Sequence, residues 1–350
     1  MLEPEFAAAR QTFDSILQKM PRAGNIGLVH DVDADGVTAG VVWQRVLERL
    51  NFTVARLCTN RERNAWTDSN RAKIAEVSPD FLWVLDLGCR DEKVLEGVPT
   101  AFLDHHRPEG VLPEDTLITG YGWPEVPNTS WMCYEIARGK VKVEDLDWIA
   151  VIGTLSDLGE KAPWLLIDEA KKKYTAKWLK EATALINAPR RAADFNPEAA
   201  ARALMQFDNP KDLCNSDAPD VQTLKNAREE VKAEMNEAKK AAPKFAGQVA
   251  LIPIDSPCQI HPLIAQIWRG RLPKYHVICA NKGYMENRVN FSARSAQGLS
   301  VLDFLKSFEI SPGEGSFGHG HDQASGGILP PERFRELLKK MGFDPAQVGF

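Results

Sequence analysis

The chain has 350 residues, 26% of them charged, with a formal net charge of -5. That length exceeds one compact core and suits two domains, and the ordinary composition excludes a fibre or a disordered chain. An acidic chain argues against gripping long nucleic acid by phosphate neutralisation and favours holding such a substrate at one end. Six cysteines without a CxxC pair exclude zinc-finger and redox spacings and make a disulfide framework unexpected. No apolar run approaches the roughly 20 residues needed to span a bilayer. The acidic, amphipathic N-terminus reads as a helix rather than a signal peptide. A soluble, cytoplasmic protein with no membrane partner is the expectation.

In chain order, residues 25–29 (NIGLV) form a buried strand and 37–50 the helix after it. Residues 52–58 give a strand, 71–77 a helix, and 81–85 and 100–103 further strands. Strands interleaved with helices at this spacing imply βαβ units and a parallel sheet with helices on both faces. Helices over 145–155, 167–186 and 197–207 complete a first domain at 1–218. Residues 219–243, rich in Glu, Lys and Ala, read as one long solvated connector helix. A smaller α/β domain at 244–350 follows. It has strands at 249–254, 276–280 and 288–293, a helix at 301–308, a glycine-rich loop at 313–327 and a last helix at 331–341.

The chemistry gathers at strand ends. The first strand runs into His30-Asp31-Val32-Asp33-Ala34-Asp35-Gly36. Alternation in an extended segment throws the three carboxylates to one side, at the carboxyl edge where open α/β sheets place ligands. Crowded carboxylates repel one another, and hard divalent ions relieve that repulsion. A plain helix cap would need one Asp, and a calcium loop would need a Glu at its end that is absent here. Further along, Asp86 follows the apolar strand VL, and Asp104-His105-His106 follows FL. Asp157 closes Gly-Thr-Leu-Ser-Asp-Leu-Gly. Asp104 reads as a partner that orients a histidine ring from behind, and His30 either does likewise or is simply a strand-end histidine. Imidazole among carboxylates favours Mn²⁺, with Mg²⁺ as the alternative.

The series HDVDADG, VLDLG, DHH and GTLSDLG resembles the DHH phosphoesterase superfamily over about residues 25–330. That resemblance implies two Mn²⁺ ions, with Asp31 and Asp33 on one and Asp35 on the other. It makes Asp86 the bridge, completes the second ion with His105 and Asp157, and sets His106 against the scissile phosphate. Within the second domain, Gly320, His321, Ala324 and Gly326 resemble the DHH-associated domain's Gly-Gly-His signature, with His319 standing in place of its first glycine. Two features are similar to RecJ-type exonucleases: Ser292-Ala293-Arg294-Ser295 and Asn60-Arg61. They imply a terminal-phosphate pocket that includes Arg61, Ser292, Arg294 and Ser295. Arg63 is a weaker member of that set, for which a surface ion pair is the plainer reading.

The resemblance implies a RecJ-like 5′ to 3′ exonuclease on single-stranded DNA or RNA, with the second domain closing over the first. The alternative is a phosphodiesterase for short oligonucleotides or cyclic dinucleotides, or a phosphoadenosine phosphate phosphatase. An inactive nucleic-acid-binding scaffold would predict eroded ligands, whereas every matched Asp and His is in place.

Overall fold

The computed structural model describes residues 2–296, 300–313, 316–321 and 323–350. Contacts divide the chain into two compact units: Met1–Arg190 with Phe195–Asn226, and Arg191–Asp194 with Ala227–Phe350.

The first unit runs α1 (Glu3–Lys19), β1 (Asn25–His30), α2 (Ala34–Arg49), β2 (Thr53–Cys58), α3 (Asp68–Glu76), β3 (Phe81–Leu85), β4 (Thr100–Asp104) and β5 (Thr116–Thr119). It continues through α4 (Thr129–Ala137), α5 (Asp147–Asp157), α6 (Leu165–Tyr174), α7 (Ala176–Asn187), α8 (Pro197–Gln206), α9 (Pro210–Asn215) and the start of α10 (Pro219–Ala238). Its five strands pair in the order β2-β1-β3-β4-β5, all parallel. Alternate strand residues feed two cores. Leu28, Trp83, Leu85 and Leu103 face the larger one with α1, α2, α4 and α5, while Val29, Leu82, Val84 and Phe102 face the other with Trp66 and Ile74. This two-faced burial is why these strands read as continuous apolar runs.

The second unit holds the rest of α10, β6 (Lys244–Ala246), β7 (Val249–Ile254), α11 (His261–Arg271), β8 (His276–Asn281), β9 (Val289–Arg294), α12 (Val301–Lys306), β10 (Ser316–His321), β11 (Ala324–Leu329) and α13 (Pro331–Lys340). Its mixed sheet has the order β10-β11-β9-β8-β7-β6.

Three expectations change. The stretch 313–327 is mostly a hairpin, β10 with β11, rather than a glycine-rich loop. Its glycines serve pairing: a Cβ on Gly326 would lie 2.4 Å from the carbonyl oxygen of Phe291 on β9, so only hydrogen fits. The expected single helix at 167–186 is two, broken at Thr175, whose φ of 66° no helix accommodates. The helix α10 is less solvated at its start than its composition suggests, because Val221 and Leu224 are fully buried. All six cysteines are free and buried. Among the described residues no helix is long and apolar enough to cross a membrane.

A carboxylate and histidine centre at the sheet edge

Because β1, β3 and β4 are parallel neighbours, their carboxyl ends share one edge. The ladder runs one step past the strands: Asp31 N–H donates to the Leu85 carbonyl at 3.2 Å, and Asp86 N–H to the Leu103 carbonyl at 3.2 Å. Asp31, Asp86 and the Asp104-His105-His106 run are thereby set side by side. Asp157, at the end of α5, joins them.

Three sets of ligand atoms converge to within 4.8 Å of one another: Asp31 with Asp33 and Asp86, Asp35 with His105 and Asp157, and Asp86 with His105 and His106. Asp86 is shared. His105 spans the centre, with Nε2 3.3 Å from Asp86 Oδ1 and Nδ1 3.8 Å from Asp157 Oδ2. Asp33 also caps α2, accepting from the N–H groups of Asp35 and Gly36. Gly36 is required here, since a Cβ would lie 2.6 Å from the Asp31 carbonyl oxygen.

The electrostatics are those of a cation site. Burial, then the charge of Asp35, pushes Asp86 well above the ordinary carboxylate range. Burial, with the charge of Asp33 adding to it, raises Asp35 as well, and burial followed by Asp35 lifts Asp157 to about 6. Burial opposes charge on His105, yet its bond to Asp86 and the fields of Asp86, Asp35 and Asp157 outweigh that and lift it to about 10. Asp86 itself holds φ at 60°, a left-handed conformation that costs free energy and tends to occur where function over-determines the backbone. Hard oxygens with imidazole, the carboxylates convergent and mutually repelling, fit divalent cations of the Mn²⁺ or Mg²⁺ type.

A shell of hydrogen bonds orients these groups. Asp104 Oδ1 accepts from His106 Nδ1 at 3.0 Å and from its backbone N–H, and Asp104 Oδ2 accepts from Gly88 N–H at 2.8 Å. With Nδ1 so engaged, His106 is lifted to about 9 against the opposing effect of burial, chiefly by the Asp104 bond. His106 is half exposed and lines a cleft of about 330 Å³ with Asp31, Arg63, Asp86, Arg90 and Arg107. His30 lies outside the cluster. Its Nε2 meets Arg56 at 2.9 Å, its Nδ1 meets the Asp31 carbonyl oxygen, and burial followed by the Arg56 charge lowers it to about 3.

Two features escaped the sequence reading. Asn128, Thr129 and Ser130, at the start of α4, wrap Asp35: Asn128 Nδ2 and Ser130 N–H donate to Oδ1 at 2.6 and 2.8 Å, and Thr129 N–H donates to Oδ2 at 2.8 Å. Their signal was an Asn-Thr-Ser run ahead of an apolar segment, the pattern of a helix start. Arg63 is the second. A weaker candidate for the phosphate pocket, it makes the ion pair that was its plainer reading, and makes it within the centre: its guanidinium grips Asp31 and reaches Asp33 Oδ2 at 2.9 Å. Arg61, ranked above it, instead lies over the ring of Phe195, 5.1 Å from the centroid.

In the second unit, Arg294 Nη1 donates to Ser292 Oγ at 2.7 Å and to the carbonyls of Ala293 and Ser325. Burial, then the neighbouring charge of Arg269, lowers its basicity, and the buried His261 feels the fields of both Arg191 and Arg294. Ser295 is fully buried. The backbone of β10 places Gly320 opposite Ser325 and His321 opposite Ala324. The side chains of His319 and His321 lie outside the described residues.

No protein-family model matches the sequence, and no curated protein sequence matches it. Solved structures do. RecJ from Thermus thermophilus in complex with Mn²⁺ is similar at a TM-score of 0.69 and 16% identity, over 96% of this chain and 55% of that one. This chain thus spans about half the length of that RecJ. An exonuclease RecJ bound to manganese superposes at 0.66 and 18% identity, over 97% of this chain and 96% of that one. CDC45 from Entamoeba histolytica gives 0.57 and 10%, over 97% and 99%. The chain has the fold of these RecJ structures.

Proposed function

We propose that this protein is a divalent-metal-dependent phosphoesterase, a RecJ-like exonuclease that cleaves phosphodiester bonds from the 5′ end of single-stranded nucleic acid. The observation that carries this reading is the convergence of three ligand sets, linked through Asp86 and His105, each of which belongs to two of them. Asp31, Asp33 and Asp86 would hold one Mn²⁺, and Asp35, Asp86, His105 and Asp157 the other, with Mg²⁺ able to substitute. When bound, such ions supply Lewis-acid activation of water and of the phosphoryl group.

The chain's own groups do the rest. His106, turned by Asp104, directs its remaining ring nitrogen toward the phosphoryl oxygens in the cleft, where charge grows during displacement. Asn128, Thr129 and Ser130 hold Asp35 in one orientation, so the carboxylate keeps its geometry without reorganisation. In the second unit, Ser292, Arg294 and Ser295, with Gly320 and His321 on the paired strands, form the proposed face for a terminal phosphate. Arg61 is proposed to add to the same recognition.

The net charge of -5 favours a second reading, a phosphodiesterase for short oligonucleotides held at their ends. Digestion with Mn²⁺ of a long single strand labelled at either terminus, beside a dinucleotide and a cyclic dinucleotide, tests both. Stepwise release from the 5′ end of the long strand supports the first reading. Activity confined to the dinucleotide supports the second. Inactivity on every substrate in the presence of Mn²⁺ would refute the phosphoesterase assignment.

A further inference from the structure

Arg63 bridges two carboxylates of a convergent group that could hold a cation. Its Nε donates to both carboxylate oxygens of Asp31, at 2.9 and 3.1 Å, and its Nη2 to Asp31 Oδ2 and Asp33 Oδ2. Asp31 and Asp33 are also two of the three carboxylates that converge with Asp86. Asp31 Oδ1 further accepts the Val32 N–H at 2.7 Å, so its acceptor capacity is largely used. An ion seated on these oxygens and a guanidinium seated on them compete for the same lone pairs.

The contact is built into the loop. Arg63 has φ of 52°, a left-handed conformation for a side-chain-bearing residue. The loop is braced around it by the buried Asn70, whose side chain bonds Asn60 N–H, Asn60 Oδ1, the Asn64 carbonyl and Thr67 Oγ1. Arg63 N–H itself bonds the Asn60 carbonyl at 3.1 Å. A flexible surface arginine would need none of this. Arg63 also lines the 330 Å³ cleft with Arg90 and Arg107, which gives a displaced guanidinium a place among other phosphate-attracting groups.

We propose that Arg63 is the resident counter-ion of the metal-free centre, and that the first divalent ion displaces it from Asp31 and Asp33. The proposal rests on the metal reading above. It differs from a static supporting role in sign: a partner that orients ligands strengthens metal binding, whereas a competitor weakens it.

The test uses full-length protein stripped with EDTA and titrated with Mn²⁺ alone, followed by calorimetry and by the electron paramagnetic resonance signal of free Mn²⁺. Arg63→Gln should tighten the first binding event on the order of tenfold, the size of an ordinary coupling between competing ligands. Arg63→Lys should tighten it less, since a point charge holds one carboxylate where the planar fork holds two. Without metal, Arg63→Gln should melt below wild type; saturated with Mn²⁺, the two should melt together. Equal or weaker Mn²⁺ affinity in both variants overturns the exchange. Wild-type protein that binds no Mn²⁺ overturns the metal reading, and the exchange with it. If Arg63→Gln folds in neither condition, the affinity of Arg63→Lys alone decides.

Discussion

Thr129 ties the two ends of the centre together: its hydroxyl donates to Asp86 Oδ1 at 2.8 Å while its N–H donates to Asp35 Oδ2 at 2.8 Å. Burial raises the proton affinity of both, with Asp33 adding to it at Asp35 and Asp35 adding to it at Asp86, and these donors help hold both as carboxylates in place. Thr129→Val keeps the shape and the N–H bond but removes the hydroxyl. Mn²⁺ affinity should fall roughly tenfold to a hundredfold, the usual cost of losing a group that orients a metal ligand. Calorimetric titration measures this, and unchanged affinity would show that the hydroxyl gives Asp86 no support.

The metal-free centre should lose stability as pH rises. Asp157, lifted to about 6, destabilises the fold as pH climbs from its ordinary carboxylate value through about 6. His105, lifted to about 10, contributes stability that is full below its ordinary value of 6.5 and is lost through about 10. Asp86 and Asp35, both raised, act in the same sense as Asp157. Melting in EDTA should therefore decline from about pH 6.5, above which the buried His30 and His261 no longer oppose the trend, to about pH 10. Saturating Mn²⁺ should flatten or reverse that slope, because metal ligation requires the deprotonated groups. A melting temperature in EDTA that rises with pH across this window would contradict the charge balance described.

Part of the centre was legible because some of its carboxylates follow an apolar strand, so the periodicity that locates the strand also locates its end. Asp31, Asp86 and Asp104 are of this kind. Asn128, Thr129 and Ser130 were not, since their purpose depends on Asp35, more than ninety residues earlier in the chain. The ion pair expected of Arg63 is made, but its partner was hidden for the same reason: Asp31 lies 32 residues away, and no local pattern marks the turn that aims the side chain. In the second unit, Gly326 was read as part of a glycine-rich loop but is a close approach of paired strands. Sequence periodicity reports which face is buried. It is silent on which distant backbone comes near.

Gly153 shows how tightly α2, α4 and α5 are joined behind the site. A Cβ there would lie 2.1 Å from Ser130 Oγ, 2.4 Å from Thr38 Oγ1 and 2.9 Å from Asp35 Oδ1. Gly153→Ala must push these elements apart, which costs about 1–3 kcal/mol in a packed interior. Ser130 N–H, which donates to Asp35, would move with α4. Chemical denaturation should show the stability loss, and Mn²⁺ titration a weaker second binding event. Wild-type values in both would mean that the helices yield without disturbing Asp35.

Asp86→Asn separates folding from function. Asparagine tolerates the left-handed backbone that Asp86 adopts, keeps its volume, and can still accept from the Thr129 hydroxyl. It removes one buried negative charge beside Asp35, so the metal-free protein should melt a few degrees higher than wild type, a shift of about 1 kcal/mol in a domain of this size. The same change deletes the ligand proposed above to be shared by the two cations. Loss of a group on which the metal's charge stabilisation depends costs several kcal/mol, so turnover should fall about a thousandfold or more. Higher stability with activity lost is the signature of a site whose repulsion is kept for cation binding. A destabilised Asp86→Asn protein would mean that Asp86 supports the fold, and that the carboxylates do not strain one another when metal is absent.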